Sequence, residues 1–124
     1  MLKKELSFKQ EKIINSNETA SLLGAVGIEV FSTPMLIAFM EHTAYKLAQE
    51  HLSPGETTVG VVVNIEHLKP NKVGDKILCT ATLKKIEGKK LTFDVVVTFN
   101  DEIMGKGTHV RYIVNLEKFL NKIK

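Results

Sequence analysis

Apolar and polar residues follow two different periods along the chain, and the change falls near residue 55. Every residue from 35 to 40 is apolar, in the run MLIAFM. A helix over this run has no solvent-facing side in its first turns, so it must be surrounded by other structure. Thr33 is a good N-cap before Pro34, and Ser-Pro-Gly at 53–55 supplies a stop. The pattern predicts one helix at about residues 34–52.

Beyond residue 55 the pattern is typical of β-strands. Four runs are rich in β-branched and other apolar residues, and turn-like stretches separate them. Four consecutive strands with short connections predict an antiparallel meander. A further short strand is expected within residues 5–14, followed by a loop. The four runs are TVGVVVNIEHL, DKILCTATLKKI, KLTFDVVVTFN and EIMGKGTHVRYIVNL, with KPNKVG, EGKK and ND between them.

Alternation within the strands predicts which side chains face the core. Cys79 falls on such a face, which favours a buried packing residue over a nucleophile. His67 ends a third core-facing row, provided that its strand is regular. The three rows are Ile77, Cys79, Ala81 and Leu83; Leu91, Phe93, Val95, Val97 and Phe99; and Val59, Val61, Val63, Ile65 and His67.

A long sheet that curls around one helix would surround residues 35–40 within a chain of 124 residues. We therefore expect a single α+β domain over residues 1–124, with a long curled antiparallel sheet wrapped around one central helix. This is the hotdog architecture. Such a sheet leaves an edge strand and an apolar rim exposed, and homodimers close these by pairing edges. A symmetric homodimer is the expected assembly, with a tetramer as the alternative.

Composition narrows the classes of function. The single cysteine excludes an intramolecular disulfide, and the four histidines lack zinc-site spacing, so we expect no metal and no cofactor. No stretch approaches the roughly 18 apolar residues of a membrane span, and the amino terminus has no apolar signal region. A cytoplasmic protein without membrane contact is expected. The net charge of +3 is too small and diffuse to indicate nucleic acid, but it suits a phosphorylated ligand.

Glu41 is the exceptional polar residue of the predicted helix. It lies on the apolar stripe, and the nearest lysine along the helix, Lys46, is on another side. A carboxylate there costs several kcal/mol unless it is hydrogen-bonded or protonated. Two interpretations are open: a catalytic group, or a structural acceptor of a buried hydrogen bond. Two interpretations are also open for Thr33 and His67. Thr33 is either a helix cap or a catalytic hydroxyl, and His67 is either a core histidine or a catalytic partner.

Three segments carry a family resemblance: VFSTPMLIAFME, TVGVVVNIEHLKPNKVGDKI and GKGTHVRYIVNLEKF. They resemble the fluoroacetyl-CoA thioesterase-like family of hotdog thioesterases, over about residues 28–119. That family has a catalytic threonine, a glutamate eight positions later and a histidine 26 positions after the glutamate. Thr33, Glu41 and His67 meet both intervals. The resemblance also implies that Gly60 and Arg111 contact the substrate.

The resemblance implies hydrolysis of a short or medium acyl-CoA thioester to a free acid and CoA. Glu41 would attack the carbonyl or orient a water, and Arg111 is the first candidate for contact with the CoA phosphates. The phenylalanines that help select the fluorinated substrate align here with Gly24 and Gly27, which argues against fluoroacetyl specificity. A non-catalytic module that binds acyl-CoA is the competing interpretation.

The spacing of Thr33 and Glu41 has a geometric consequence. Eight helical residues rise about 12 Å, so the two side chains of one chain are too far apart for a direct hydrogen bond. If both act on one carbonyl, the site must combine two subunits. We expect an active site at a dimer interface, with at least one of Thr33, Glu41 and His67 contributed by the partner.

Overall fold

A five-stranded antiparallel sheet curls around one long helix in the computed structural model, which describes residues 1–124. This agrees with the architecture expected from the sequence. The strand order across the sheet is β1-β3-β4-β5-β2. Two short 3₁₀ turns, Ser16–Glu18 and Ala20–Leu23, lie between the first strand and the long helix. The elements are β1 (Ser7–Ile13), α1 (Thr33–Gln49), β2 (Glu56–His67), β3 (Lys76–Glu87), β4 (Lys90–Phe99), β5 (Glu102–Asn115) and α2 (Leu116–Asn121).

The strand order differs from the predicted meander at β2. Two-residue turns at 88–89 and 100–101 join β3, β4 and β5 as hairpins, and Gly88, Asn100 and Asp101 have the positive φ that such turns favour. β2 pairs with β5 and not with β3, so the prediction of four adjacent strands is wrong. The eight-residue connection at 68–75 does not force neighbouring strands, and β1 occupies the other edge of β3.

Helix α1 is capped by Ser32, so the predicted cap role of Thr33 is wrong. The Ser32 hydroxyl accepts a hydrogen bond from the backbone N–H of Met35 at 3.3 Å, and Pro34 lies in the first turn. The helix ends at Gln49, three residues before the predicted end. Because Ser32 performs the capping, the hydroxyl of Thr33 is available to another partner.

The core lies between α1 and the concave face of β3 and β4. The predicted alternation of these strands is confirmed as far as Leu83 and Val97, because the inward side chains are fully buried. Phe99, the last residue of the predicted β4 row, lies beyond a pairing shift and is only partly buried. Burial raises the pKa of the Cys79 thiol to about 11, against a hydrogen bond with Thr43 that lowers it. Cys79 is therefore an unreactive packing residue, as predicted. The buried rows are Ile77, Cys79, Ala81 and Leu83 on β3, and Leu91, Phe93, Val95 and Val97 on β4.

Strand β2 breaks its alternation at a bulge. The pairing with β5 shifts between Gly60 and Val62, which leaves Val61 as an extra residue. Gly60 and His67 are an odd number of residues apart, yet both face α1. The predicted core-facing row is therefore wrong before the bulge. Residues 61–63 are three valines that are 50%, 49% and 38% exposed, because β2 is the free edge of the sheet.

A second helix, α2, follows β5 where the sequence predicted only the end of a strand. The Asn115 side chain caps it by accepting a hydrogen bond from the backbone N–H of Lys118 at 2.9 Å. Neither α1 nor α2 has the length and apolar character needed to cross a membrane.

Candidate active site

The Glu41 carboxylate lies on the side of α1 that faces β2 and β5, and its side chain is 39% exposed. Its Oε2 atom is 3.8 Å from Nη1 of Arg111 and 3.8 Å from Nε2 of His109. Both distances exceed those of hydrogen bonds. The carboxylate therefore has a cation beside it while its oxygens stay available to another group.

Gly60 faces this carboxylate with bare backbone. A Cβ atom placed on Gly60 would lie 2.6 Å from Oε2 of Glu41, 3.1 Å from Cε1 of His109 and 3.2 Å from Nη1 of Arg111. Real Cβ atoms do not approach other atoms as closely as the first of these distances. Only glycine lets the backbone of β2 pass this close to Glu41, because its missing side chain permits the approach.

Arg111 is held inside the site and is only 7% exposed. Its Nε donates to Oγ1 of Thr58 at 2.7 Å, and its Nη2 donates to the Thr58 carbonyl at 2.9 Å. The guanidinium carbon lies 5.6 Å from the centre of the Tyr45 ring. Burial lowers the pKa of Arg111, while Glu41 and then Tyr45 raise it, and the guanidinium stays a cation. The resemblance implied that Arg111 contacts the CoA phosphates. In the single chain Arg111 is instead buried and faces Glu41.

Thr33 and His67 form a second group at the start of α1. Thr33 Oγ1 is 2.8 Å from Nδ1 of His67. Burial lowers the pKa of His67, which favours the neutral imidazole at neutral pH. The other ring nitrogen, Nε2, is buried and has no hydrogen-bond partner in the chain. A cavity of about 200 Å³ adjoins His67 and is lined also by Val30 and Leu68.

The structure therefore places the predicted site residues in two groups. Thr33 and His67 are in contact, whereas Glu41 lies with Gly60 and Arg111. Thr33 and Glu41 are about two helical turns apart on α1. No hydrogen bond or ion pair of the chain links the two groups.

Two polar residues of the Glu41 group were missed from the sequence. His109 is 1% exposed and lies two residues before Arg111 on β5, so both share one face of that strand. Thr58 has the same relation to Gly60 on β2 and binds Arg111 twice. The parity of His109 with Arg111 is visible in the sequence, and it becomes informative once β5 is known to face Glu41.

The family of fluoroacetyl-CoA-specific thioesterases (FlK) matches residues 14–117 of the chain. The fluoroacetyl-CoA thioesterase of Streptantibioticus cattleyicolor is 31% identical over 96 residues, which cover 77% of this chain and 69% of that protein. The family match includes both groups of site residues.

Solved structures agree with this assignment. The fluoroacetyl-CoA thioesterase FlK superposes with a TM-score of 0.93 at 26% identity, covering 99% of this chain and 96% of that one. A phenylalanine-to-alanine mutant of FlK in complex with fluoroacetate and CoA has a TM-score of 0.89 at 27% identity, covering 95% and 99%. A Thermus thermophilus thioesterase superfamily member, at 21% identity and a TM-score of 0.91 over 99% and 91%, supports the fold alone. The chain has the hotdog fold and belongs to the fluoroacetyl-CoA thioesterase (FlK) family.

Proposed function

We propose that this chain hydrolyses a short or medium acyl-CoA thioester to a free acid and CoA, with Glu41 as the central reactive group. Membership of the family makes the chain an acyl-CoA thioesterase. The observation that supports the role of Glu41 is its carboxylate, which has a cation beside it, no hydrogen bond within the chain, and the bare backbone of Gly60 in front of it.

Hydrolysis of a thioester requires attack on the carbonyl, stabilisation of the oxyanion and departure of a thiolate. Glu41 either attacks the carbonyl to give an anhydride or directs a water to it. The Arg111 cation is 3.8 Å from Oε2 and orients the carboxylate. Backbone N–H groups near Gly60 are the candidates for the oxyanion site, since the backbone at Gly60 passes beside the Glu41 carboxylate.

The Thr33–His67 pair supplies the proton transfers in this proposal. When the Thr33 hydroxyl accepts from Nδ1–H of His67, Nε2 carries the lone pair of the ring. Because Nε2 is buried in the single chain, the ring must turn or the site must open before it takes a proton from water. Nε2 has no competing partner in the chain. The same nitrogen can then return the proton to the departing thiolate.

In this proposal two copies of the chain form a twofold dimer, and the Thr33–His67 pair of one copy lies beside the Glu41 group of the other. β2 is a 12-residue edge strand, and residues 60–64 are exposed along it. In an antiparallel pairing of two β2 strands, the twofold axis would pass through Val62. The partner's His67, five residues after Val62, would then lie opposite Thr57, five residues before it. Thr57 adjoins Thr58, which holds Arg111. The partner's Thr33–His67 pair would then lie beside Glu41.

A cavity beside α2 is the proposed contact for the CoA phosphates, in place of Arg111. It has a volume of about 280 Å³, and its lining includes Lys89, Lys118 and Lys122. None of these lysines is in an ion pair, whereas five lysines elsewhere on the chain are. Four residues of β5, about 13 Å of strand, lead from Arg111 to Asn115, the residue that caps α2. The pantetheine arm of CoA is long enough to span such a separation.

The segment before α1 favours an acyl group that differs from fluoroacetyl. Gly24 and Gly27 have φ of +107° and +87°, so larger side chains there would be strained. A Cβ atom at either position would meet nothing within 4 Å. The exposed side chains of this segment are aliphatic, which suits an unsubstituted acyl chain. They are Leu22, Leu23, Val26 and Ile28, at 64%, 54%, 90% and 49% exposure.

Thiol release from a panel of acyl-CoAs tests the proposal, with wild type compared with Glu41→Gln. Glutamine keeps the shape of the side chain but loses its negative charge, so we expect kcat to fall about 10²- to 10⁴-fold. Circular dichroism and the melting temperature check that both proteins fold equally. If wild type cleaves no acyl-CoA while one of them raises its melting temperature, the protein is a binding module instead.

A further inference from the structure

His109 is a buried polar residue to which the mechanism above gives no role. It lies on the inward face of β5 with 1% of its surface exposed. Its ring packs against Phe93, with 6.4 Å between ring centres. Both of its ring nitrogens contact polar atoms, and both contacts lead to the Glu41 group.

These two contacts define one protonation state of the ring. Nδ1 is 2.8 Å from the carbonyl of Val62, which only accepts, so Nδ1 carries the proton. Nε2 is 3.1 Å from Nη1 of Arg111, which only donates, so Nε2 carries the lone pair. The ring is therefore neutral with a fixed tautomer. Burial lowers the pKa of His109, as does the charge of Arg111, against the Val62 hydrogen bond and Glu41, which raise it.

The first contact is made at the bulge of β2. The pairing shift falls between Gly60 and Val62, and the Val62 carbonyl is the acceptor for Nδ1–H. A Cβ atom on Gly60 would lie 3.1 Å from Cε1 of His109, so the ring also packs against the bare backbone of Gly60. His109 thus holds the strand segment that faces Glu41.

The second contact controls where the Arg111 cation lies. Two of its nitrogens are bound by Thr58, and the third donates to His109. That third nitrogen is also the one 3.8 Å from Oε2 of Glu41. Without the acceptor on His109, a small rotation would bring Arg111 and Glu41 from 3.8 Å into a hydrogen-bonded ion pair. A carboxylate bound in that way is a weaker nucleophile and base.

We propose that His109 is a positioning residue for the reaction. It holds Arg111 near Glu41 without a hydrogen bond between them, and it fixes the bulge that carries Gly60. His109 itself does not react, because both of its nitrogens are engaged and the ring is buried. The proposal rests on the thioesterase function proposed above.

Two variants separate the contacts. His109→Gln places an amide oxygen near the position of Nε2, so it keeps the acceptor for Arg111. His109→Asn places its amide near the position of Nδ1, so it keeps only the donor to the Val62 carbonyl. We expect His109→Asn to lose about 100-fold in kcat with little change in KM, as for a displaced reactive group. His109→Gln should keep kcat within about tenfold of wild type. If both variants retain wild-type kcat and only melt earlier, His109 is merely structural and the proposal fails.

The protonation state is tested on the wild-type protein, which removes any dependence on the folding of variants. Nitrogen-15 NMR of labelled histidine at pH 7 should show a neutral His109 ring with the proton on Nδ1. A charged ring, or a proton on Nε2, would overturn the proposal, because Nε2 could not then accept from Arg111. This result does not depend on activity, so a failure of the thioesterase function would be recognised separately by the absence of thiol release from wild type.

Discussion

At position 60 the chain has no room for a side chain, because Glu41, His109 and Arg111 already surround the site of a Cβ atom. The closest of these neighbours is the end of the flexible Glu41 side chain, 2.6 Å away. Such a side chain can move without disturbing the backbone. The constraint on Gly60 therefore concerns the position of the carboxylate more than the stability of the fold.

Gly60→Ala should lower kcat about 100-fold, because Glu41 must move away from the group on which it acts. The melting temperature should fall less than for a methyl group that meets backbone, since the closest atom is the end of the flexible Glu41 side chain, and His109 and Arg111 need to give by only a few tenths of an ångström. Thiol release and thermal unfolding measure the two effects.

Gly107→Ala is the matched contrast. A Cβ atom there would lie 2.2 Å from the backbone oxygen of Asn64, and a backbone atom in a paired strand cannot give way. That variant should unfold at a lower temperature. If Gly60→Ala destabilises the protein as much as Gly107→Ala does, the role given to Gly60 is wrong.

At the scale of elements, the sequence predicted the strands whose partners are close along the chain. β3 and β4 are joined by a two-residue turn, so alternation alone placed residues such as Cys79 and Phe93 in the core. The faces of β2 depend on a bulge that forms against β5, about 50 residues later. Ser32 and Thr33 are both good caps, so propensity could not choose between them. These failures concern contacts that are not local in sequence, or choices between equivalent residues.

The family resemblance identified five site residues, whereas Thr58 and His109, which also surround Glu41, were missed. The five are Thr33, Glu41, Gly60, His67 and Arg111. Physical reasoning from the sequence identified Glu41 because a carboxylate within an apolar run is unusual. It passed over His109 because a histidine two residues from an arginine on a strand is unremarkable until the strand is known to face Glu41. Contacts across the sheet, such as that of His109 with Val62, cannot be derived from one strand.

The cavity beside α2 leads to a prediction about how the nucleotide part of CoA is bound. Replacing Lys118 and Lys122 by glutamine removes two of the three cations that line it. We expect KM for acyl-CoA to rise about tenfold, since charge-assisted contacts with phosphate contribute about 1.5 kcal/mol or more. KM for the same acyl group on N-acetylcysteamine, which lacks the nucleotide, should not change.

Lys84→Gln is the control for this experiment, since Lys84 forms an ion pair with Glu5 at another part of the surface. It lowers the net charge of the chain without changing the cavity. Increased salt should weaken the binding of acyl-CoA to wild type more than to the double variant. Equal effects of all variants on both substrates would show that the CoA phosphates bind elsewhere.

At the scale of the whole molecule, a single chain separates groups that one reaction would need together. Thr33 and His67 contact each other, but Glu41 is about two helical turns from Thr33. The free edge of β2 carries three partly exposed valines, and an unpaired apolar edge favours association with another strand. A twofold dimer through β2 would cover this edge and complete two equivalent sites with the same contacts.

Mixed dimers test whether the site is shared between subunits. A Glu41→Gln chain and a His67→Ala chain, purified together by two different affinity tags, would form one site with two damaged residues and one intact site. Each homodimer should be inactive, whereas the mixed dimer should recover about half of the wild-type activity.

Thr33→Ala paired with His67→Ala is the control. Because Thr33 and His67 of one chain act together, each chain would contribute a damaged pair, and no activity should return. Recovery in neither mixture would place all three residues of each site in one chain, and recovery in both would separate Thr33 from His67.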